Sequence, residues 1–229
     1  MKFSILNRQA GTLAKVSLEA KEAITAEAGA MVAMSGDTTV TTSTHKKSGG
    51  GGGMLKAVKR MISGESFFVN HFTAGDKGGD VYLAPHLAGD ITSLDLSKGE
   101  MIVQGGSFLA SETGINMDMS WQGAKNFFSG EGLFWLSLSG NGQALINTFG
   151  AVYTIDVKGE HTVDTGHIVA FPKDMEFSVG KAASGWVSSL ISGEGLVCKF
   201  KGEGRIYCQS HNTVGFGQAL GPMLKPRES

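Results

Sequence analysis

Short apolar runs separated by glycines and polar residues recur along nearly the whole chain, and this pattern predicts β-strands. The threonine-rich segment 38–44 is especially prone to form a strand. Residues 20–30 contain many helix-forming residues, but Gly29 interrupts them and no helical period is sustained, so we favour strands there too. Further strands are predicted at 3–6, 13–18, 81–84, 93–96, 101–103, 108–110, 133–138, 196–200 and 206–208.

Two glycine-flanked segments are predicted to close hairpins. Gly-Asn-Gly at 140–142 contains Asn-Gly, which is typical of two-residue hairpin turns, and Gly-Glu-Gly at 202–204 separates two apolar runs in the same way. In a hairpin without a bulge, Cys198 and Cys208 would be direct cross-strand neighbours. A disulfide or redox pair is conceivable there, although a cytoplasmic location favours reduced thiols.

One short helix is predicted at 54–62, directly after the glycine run 49–53. Its apolar residues recur at helical spacing, and basic residues occupy much of the remaining surface. The helix could pack on the β-domain or on a neighbouring subunit, which we favour, or it could lie on an anionic membrane surface. The candidate surface and interface residues are Lys56, Val58, Lys59, Arg60 and Met61.

Three short sequence patterns recur in step along the chain. Ser-Gly-Glu occurs at 63–65, 129–131 and 192–194, at intervals of about 65 residues. Gly-x-apolar-apolar-Ala occurs at 29–33, 106–110 and 166–170. The segments 94–100 and 155–160 share a third pattern, in which apolar-Asp-apolar precedes Lys-Gly-Glu.

These repeats predict one β-rich domain over 1–229, built from three related units that pack together to bury a common core. The units span about 13–84, 91–152 and 153–217, with an insertion at 46–62 in the first and a poorly ordered tail at 220–229. Because Ser-Gly-Glu occurs in all three units, a structural role at a turn or strand start explains it better than catalysis.

The central block resembles the AIM24-like family, named for altered inheritance of mitochondria. The resemblance lies in the glycine-rich loop, the basic segment Leu-Lys-Ala-Val-Lys-Arg-Met-Ile, Ser-Gly-Glu-Ser-Phe-Phe, and the segments 79–85 and 89–91. It covers about 26–217 and implies a mainly β fold grouped with the tryptophan RNA-binding attenuation protein, a double-stranded β-helix or barrel of three units with one inserted helix. The resemblance implies a link of the mitochondrial relatives to inner-membrane organisation, and it implies no catalytic residue.

Composition and charge narrow the function classes. Glycine accounts for 34 of 229 residues without the Gly-X-Y period of collagen, which fits many tight turns. The 20 basic and 21 acidic residues give a net charge of −1, so nucleic acid binding is not expected. No apolar run reaches the ~18 residues of a membrane span, and no signal or transit peptide pattern is recognised. We therefore expect a cytoplasmic protein.

Motifs of catalysis and cofactor binding are incomplete. The glycine run lacks the Gly-Lys-Ser/Thr of a phosphate-binding loop, and Ser-Gly-Glu is not the Gly-x-Ser-x-Gly of a nucleophile elbow. A cupin-type metal site needs closely spaced histidines, whereas His161 and His167 are separated and His71 and His86 are isolated. We assign no catalytic residue, cofactor or metal ligand.

The sequence thus predicts a non-enzymatic, homo-oligomeric interaction or scaffold protein, with an anionic membrane surface or another protein as a further partner. The alternative is a cupin-like barrel that binds a small molecule or a metal, with or without catalytic activity. That alternative requires a pocket with at least two converging histidine or carboxylate groups. RNA binding rests on fold analogy alone.

Overall fold

Antiparallel β-strands form most of the computed structural model, which describes residues 1–7, 11–45, 67–119, 134–181 and 196–224. The all-β class predicted from the sequence is confirmed. The strands of the described residues are β1 (Lys2–Leu6), β2 (Leu13–Leu18), β3 (Ala23–Glu27), β4 (Met31–Met34), β5 (Thr39–His45), β6 (Phe67–Thr73), β7 (Gly79–Leu83), β8 (Ile91–Asp95), β9 (Met101–Gln104), β10 (Phe108–Glu112), β11 (Ile115–Asp118), β12 (Trp135–Gly140), β13 (Gln143–Asn147), β14 (Val152–Asp164), β15 (Ile168–Pro172), β16 (Glu176–Lys181) and β17 (Leu196–Gln209).

These strands form three open sheets. The first has the order β1-β2-β7-β4, the second β5-β6-β3-β10-β13-β8, and the third β11-β12-β9-β15-β17-β14, with β16 also paired to β17. A barrel closes only when its first and last strands pair, and each of these sheets ends in strands that have one neighbour. The closed barrel implied by the resemblance is therefore not formed by the described strands.

The same pairing pattern occurs three times along the chain. Unit 1 consists of β2–β7, unit 2 of β8–β13, and unit 3 of β14–β17, in which β14 and β17 each supply two strands. In every unit the first and third strands pair with the sixth, and the second and fourth pair with the fifth. The pairing follows the order of the three sequence repeats, whose exact boundaries stay a prediction.

The repeated Gly-x-apolar-apolar-Ala pattern marks the beginning of the third strand of each unit. Within this pattern, the pairing of β4, β10 and β15 with the sixth strand shifts by one residue. Such a shift is a β-bulge, which bends the strand locally. The bulged residues are Val32, Leu109 and Val169.

Both predicted hairpins are wrong. Residues 140–142 connect β12 to β13, which lie in different sheets, and residues 202–204 lie inside the continuous strand β17. At 140–142 the chain passes from one sheet into another, and at 202–204 it continues within β17 of the third sheet, so it turns back in neither place. Gly140 and Gly202 adopt positive φ angles of 130° and 110°, which glycine allows. Glycines at such positions resemble a hairpin turn in the sequence, which explains the error.

Neighbouring units share their hydrophobic core. The first buried cluster joins Val81 of unit 1 to Leu145 of unit 2, and the third joins Ile102 of unit 2 to Phe200 of unit 3. The second cluster contains residues of all three units. Fully burying one such side chain contributes about 1.5–3 kcal/mol, so each unit depends on its neighbour for stability.

A helix that the sequence did not predict follows the last strand. Helix α1 (Thr213–Leu220) leads into a short 3-10 turn at Gly221–Met223. Its amino end is capped by Asn212, whose Oδ1 accepts a hydrogen bond from the Gly215 backbone at 2.6 Å. Glycines inside the helix lower its propensity, so this capping asparagine was the available signal. Residues 220–223 adopt helical turns, and the expected poor order of the tail at 220–229 stays a prediction.

Candidate functional site

Adjacent units are joined inside the chain by one repeated strand pair. The second strand of unit 1, β3, pairs with the third strand of unit 2, β10, and Ala26 lies opposite Ala110. The second strand of unit 2, β9, pairs in the same way with β15 of unit 3, where Val103 lies opposite Ala170. The register is equivalent in both junctions, since each alanine ends the repeated Gly-x-apolar-apolar-Ala pattern.

The third equivalent pair is missing. It would join the second strand of unit 3, which is the second half of β14 (160–164), to the third strand of unit 1, β4. Among the described strands, β4 pairs with β7 and β14 pairs with β17, and no ladder joins β4 to β14. The two strand types that form a junction are therefore left without a junction partner at β4 of unit 1 and at the second half of β14 of unit 3. We call these two strands the free edges.

The free edge of β4 exposes apolar side chains that are buried in the other units. Val32 is 59% exposed, whereas the equivalent bulged residues Leu109 and Val169 are fully buried. Met31 and Met34, at 40% and 37%, are also among the exposed large apolar residues. All three strands share the same apolar sequence pattern. The side chains of β4 are therefore exposed because no neighbouring strand covers them.

The free edge of β14 shows the matching difference. Thr162 is exposed, whereas the equivalent residues Thr25 and Ile102 are buried beneath the junctions inside the chain. A groove of about 460 Å³ runs along this edge and is lined in part by Tyr153 and Val163. Its other lining residues are Ile155, Thr162, Asp164, His167 and Ser210.

The registers of the two internal junctions define how the two free edges would pair in an equivalent junction. Transferring the register of the two internal junctions places Ala33 of one copy opposite Val163 of another, and Met34 opposite Thr162. This arrangement would cover the apolar surface of β4 and the groove along β14 together. Exposed apolar edges are otherwise prone to nonspecific pairing.

The sequence-predicted surface residues cannot be placed relative to this site. Lys56, Val58, Lys59, Arg60 and Met61 lie outside the described residues, as do the glycine run and all three Ser-Gly-Glu tripeptides. Within the described ranges, no helix is long and apolar enough to span a membrane. The free edges were missed because they follow from the number of units and not from any local motif.

The histidines considered for a metal site are dispersed. Both ring nitrogens of His71 lie within hydrogen-bond distance of hydroxyl groups. His167 Nδ1 lies 2.7 Å from the Gln209 carbonyl oxygen, and His161 is exposed on β14. Within the described part of the chain, no three His, Cys, Asp or Glu residues are close enough to hold a metal ion.

The two cysteines lie far apart on one strand and not across a hairpin. Cys198 and Cys208 both belong to β17, where they lie opposite Val163 and Tyr153 of β14. Ten residues of extended strand span about 33 Å, which excludes the cross-strand pair considered from the sequence. Both thiols are free and buried, and burial raises the pKa of Cys198 to about 12 and that of Cys208 to about 11.

Comparisons with known proteins find relatives over nearly the whole chain. The family model described as Mitochondrial biogenesis AIM24 matches residues 3–211. The uncharacterized protein M6_Spy0233 of Streptococcus pyogenes serotype M6 is 32% identical over 224 residues, covering 96% of this chain and 90% of that protein. The X-ray crystal structure of protein SPYM3_0169 from Streptococcus pyogenes is similar with a TM-score of 0.78 at 30% identity, covering 97% of this chain and 99% of that one.

Proposed function

The chain belongs to the family described as Mitochondrial biogenesis AIM24, and from this premise we propose that it is a non-enzymatic scaffold protein that assembles head to tail with copies of itself. The observation that carries the proposal is the exposure of Val32, whose equivalents in units 2 and 3 are fully buried. In the assembly, β4 of one copy pairs with the second half of β14 of the next.

Both backbone and side chains favour this contact. Each free edge presents unpaired backbone N–H and C=O groups, which a neighbouring strand would satisfy. Complete burial of an apolar side chain such as Val32 contributes about 1.5–3 kcal/mol, and Met31 and Met34 add to the same surface. Since the two edges differ, the contact is heterologous and produces either a closed ring or an open filament.

Three finer parts of the proposal rest on the sequence. Contact with an anionic membrane through the segment 46–62 stays a prediction, because these residues lie outside the described ranges. The cytoplasmic location and the lack of enzymatic activity likewise stay predictions. None of the three is needed for assembly through the strand edges.

The test is a charge placed on the β4 edge. Val32→Asp leaves the isolated chain little affected, because Val32 is mostly exposed, but it would bury a carboxylate in the assembled contact. We expect light scattering to find an oligomer for the native protein and the 24.0 kDa monomer for the variant. The matched control is Val40→Asp, since Val40 is 45% exposed on β5 outside the contact.

Three outcomes would overturn the proposal. A native protein that is monomeric at every concentration has no such contact. An oligomer that survives Val32→Asp unchanged assembles through another surface. Equal dissociation of the Val40→Asp control would mean that added charge disperses the protein without regard to position.

A further inference from the structure

A cavity of about 260 Å³ lies where the ends of several strands from different units meet. Glu27 at the end of β3, Gln104 at the end of β9 and Asn147 at the end of β13 line it, together with His86 and Phe149. The cavity is separate from the groove along β14 and shares no lining residue with it. A ligand in this cavity would therefore not occupy the surface proposed for self-assembly.

Glu27 is a mostly buried carboxylate that receives no hydrogen bond from its own turn among the described contacts. The equivalent residue of unit 2, Gln104, accepts a hydrogen bond from the Ser107 hydroxyl at 3.0 Å, and that of unit 3, Asp164, accepts one from the Gly166 backbone at 2.8 Å. The Glu27 side chain is only 19% exposed, and its one polar contact within the described residues is His86 Nδ1 at 3.5 Å. A buried carboxylate without hydrogen bonds is costly unless a donor reaches it.

Asn147 adds a second unsatisfied group to the same cavity. The residue is 7% exposed, and its Nδ2 is buried without a hydrogen-bond partner in the part of the chain that the structure describes. Buried amide donors are nearly always paired in proteins. Because the Asn147 side chain lines the cavity, its rotation would turn the enclosed Nδ2 toward an acceptor bound there. Phe149, whose ring packs against His211 and Phe216, also lines the cavity.

We propose that this cavity binds a small primary-ammonium compound that also carries a hydroxyl or carbonyl oxygen. The ammonium group donates to the Glu27 carboxylate, and the oxygen accepts from Asn147 Nδ2. The volume admits a compact organic ligand. The pair of Glu27 and His86 also supplies the two converging groups that the small-molecule alternative required, without a third group that would complete a metal site among the described residues.

Ethanolamine is the probe that tests the proposal, because it combines the two required groups. Its binding to the full chain is measured by titration calorimetry at pH 6 and pH 8. Burial raises the pKa of Glu27 to about 7, so we expect about tenfold tighter binding at pH 8, where the carboxylate is ionised. His86 Nδ1, 3.5 Å from the Glu27 carboxylate, is the other titratable group that faces it among the described residues.

Matched compounds and variants separate the two contacts. Ethylamine lacks the oxygen and should bind about fivefold more weakly, the effect of one lost hydrogen bond. Glu27→Gln should weaken ethanolamine binding at least about tenfold, and it should fold because unit 2 has Gln104 at the equivalent position. Glu176→Gln, an exposed carboxylate on β16, is the control and should change nothing.

The position of bound ethanolamine can also be determined by NMR on the native protein, without any variant. Added ethanolamine should shift the backbone amide resonances of residues lining the cavity, such as Ser107 and Phe149. The absence of binding at both pH values overturns the proposal. Binding that is unchanged in Glu27→Gln, or resonance shifts confined to other parts of the surface, would overturn it as well.

Discussion

At the scale of single residues, Glu27 differs from its equivalents in units 2 and 3 in both chemistry and contacts. Units 2 and 3 place an amide and a short carboxylate at the equivalent position, and each is held by its own turn. Glu27 instead lies half-enclosed beside His86, 3.5 Å away, in a cavity between units. A repeat thus supplies the same backbone three times, and a single side chain can acquire a separate function without disturbing the fold.

The raised pKa of Glu27 predicts how its substitution changes stability with pH. Burial raises this pKa from 4.5 to about 7, so between these pH values the folded chain holds more protons than the unfolded chain, and stability falls as pH rises. Glu27→Gln removes this loss. Relative to the native protein, the variant should gain about 2–3 kcal/mol in unfolding free energy between pH 4.5 and pH 7.5, as measured by urea denaturation.

The urea denaturation measurement has a matched control and an outcome that would contradict the prediction. Glu176→Gln, on the exposed face of β16, should show no such gain. If the difference between the native protein and Glu27→Gln were independent of pH, the carboxyl group would titrate normally and would not be desolvated. Comparing variants at each pH removes the contribution of the remaining carboxylates.

At the scale of elements, the apolar pattern located the strands but not the way they connect. The segments predicted at 13–18, 38–44 and 101–103 correspond to β2, β5 and β9. Strand pairing depends on distant partners, however. The glycines at 140–142 lie between two sheets and those at 202–204 lie inside β17, where hairpins were expected. The candidate site was not predictable for the same reason, since a free edge is defined by a partner that is missing.

The continuous strand β17 makes a prediction about its thiols. Cys198 and Cys208 point into the core near opposite ends of one strand, and their pKa values are raised by burial to about 12 and about 11. Little thiolate forms at pH 8, so thiol reagents should label the native protein at least about tenfold more slowly than the urea-unfolded protein. Rapid labelling of native protein, or an internal disulfide seen by mass spectrometry after mild oxidation, would contradict a single strand that carries both residues.

At the scale of the whole molecule, the strand junctions connect three units in a series whose two ends differ. Each internal junction buries the second strand of one unit against the third strand of the next, and the same two strand types remain free at β4 and β14. A series of this kind can be extended by another copy without any new type of contact. The terminal units would therefore determine the proposed assembly, whereas the middle unit carries a junction on each side.

Unlike ends allow a complementation experiment that a symmetric interface would not. Val32→Asp blocks the β4 edge, and Thr162→Asp blocks the β14 edge, since both side chains are exposed in the isolated chain and covered in the proposed contact. Each variant alone should remain a monomer. Mixed in equal amounts, they should form a dimer of about twice the 24.0 kDa chain mass and nothing larger, because one intact edge of each type remains.

The two introduced charges are both negative, so the blocked edges repel each other and cannot pair by accident. A chain that carries both substitutions is the control. It has no intact edge, so it should stay monomeric when it is mixed with either single variant. Sedimentation of the mixture distinguishes the two modes of assembly. A symmetric interface uses the same surface on both copies, so it would leave the mixture monomeric or let one variant dimerise alone. The head-to-tail contact instead requires a dimer in the mixture and a monomer for each variant alone.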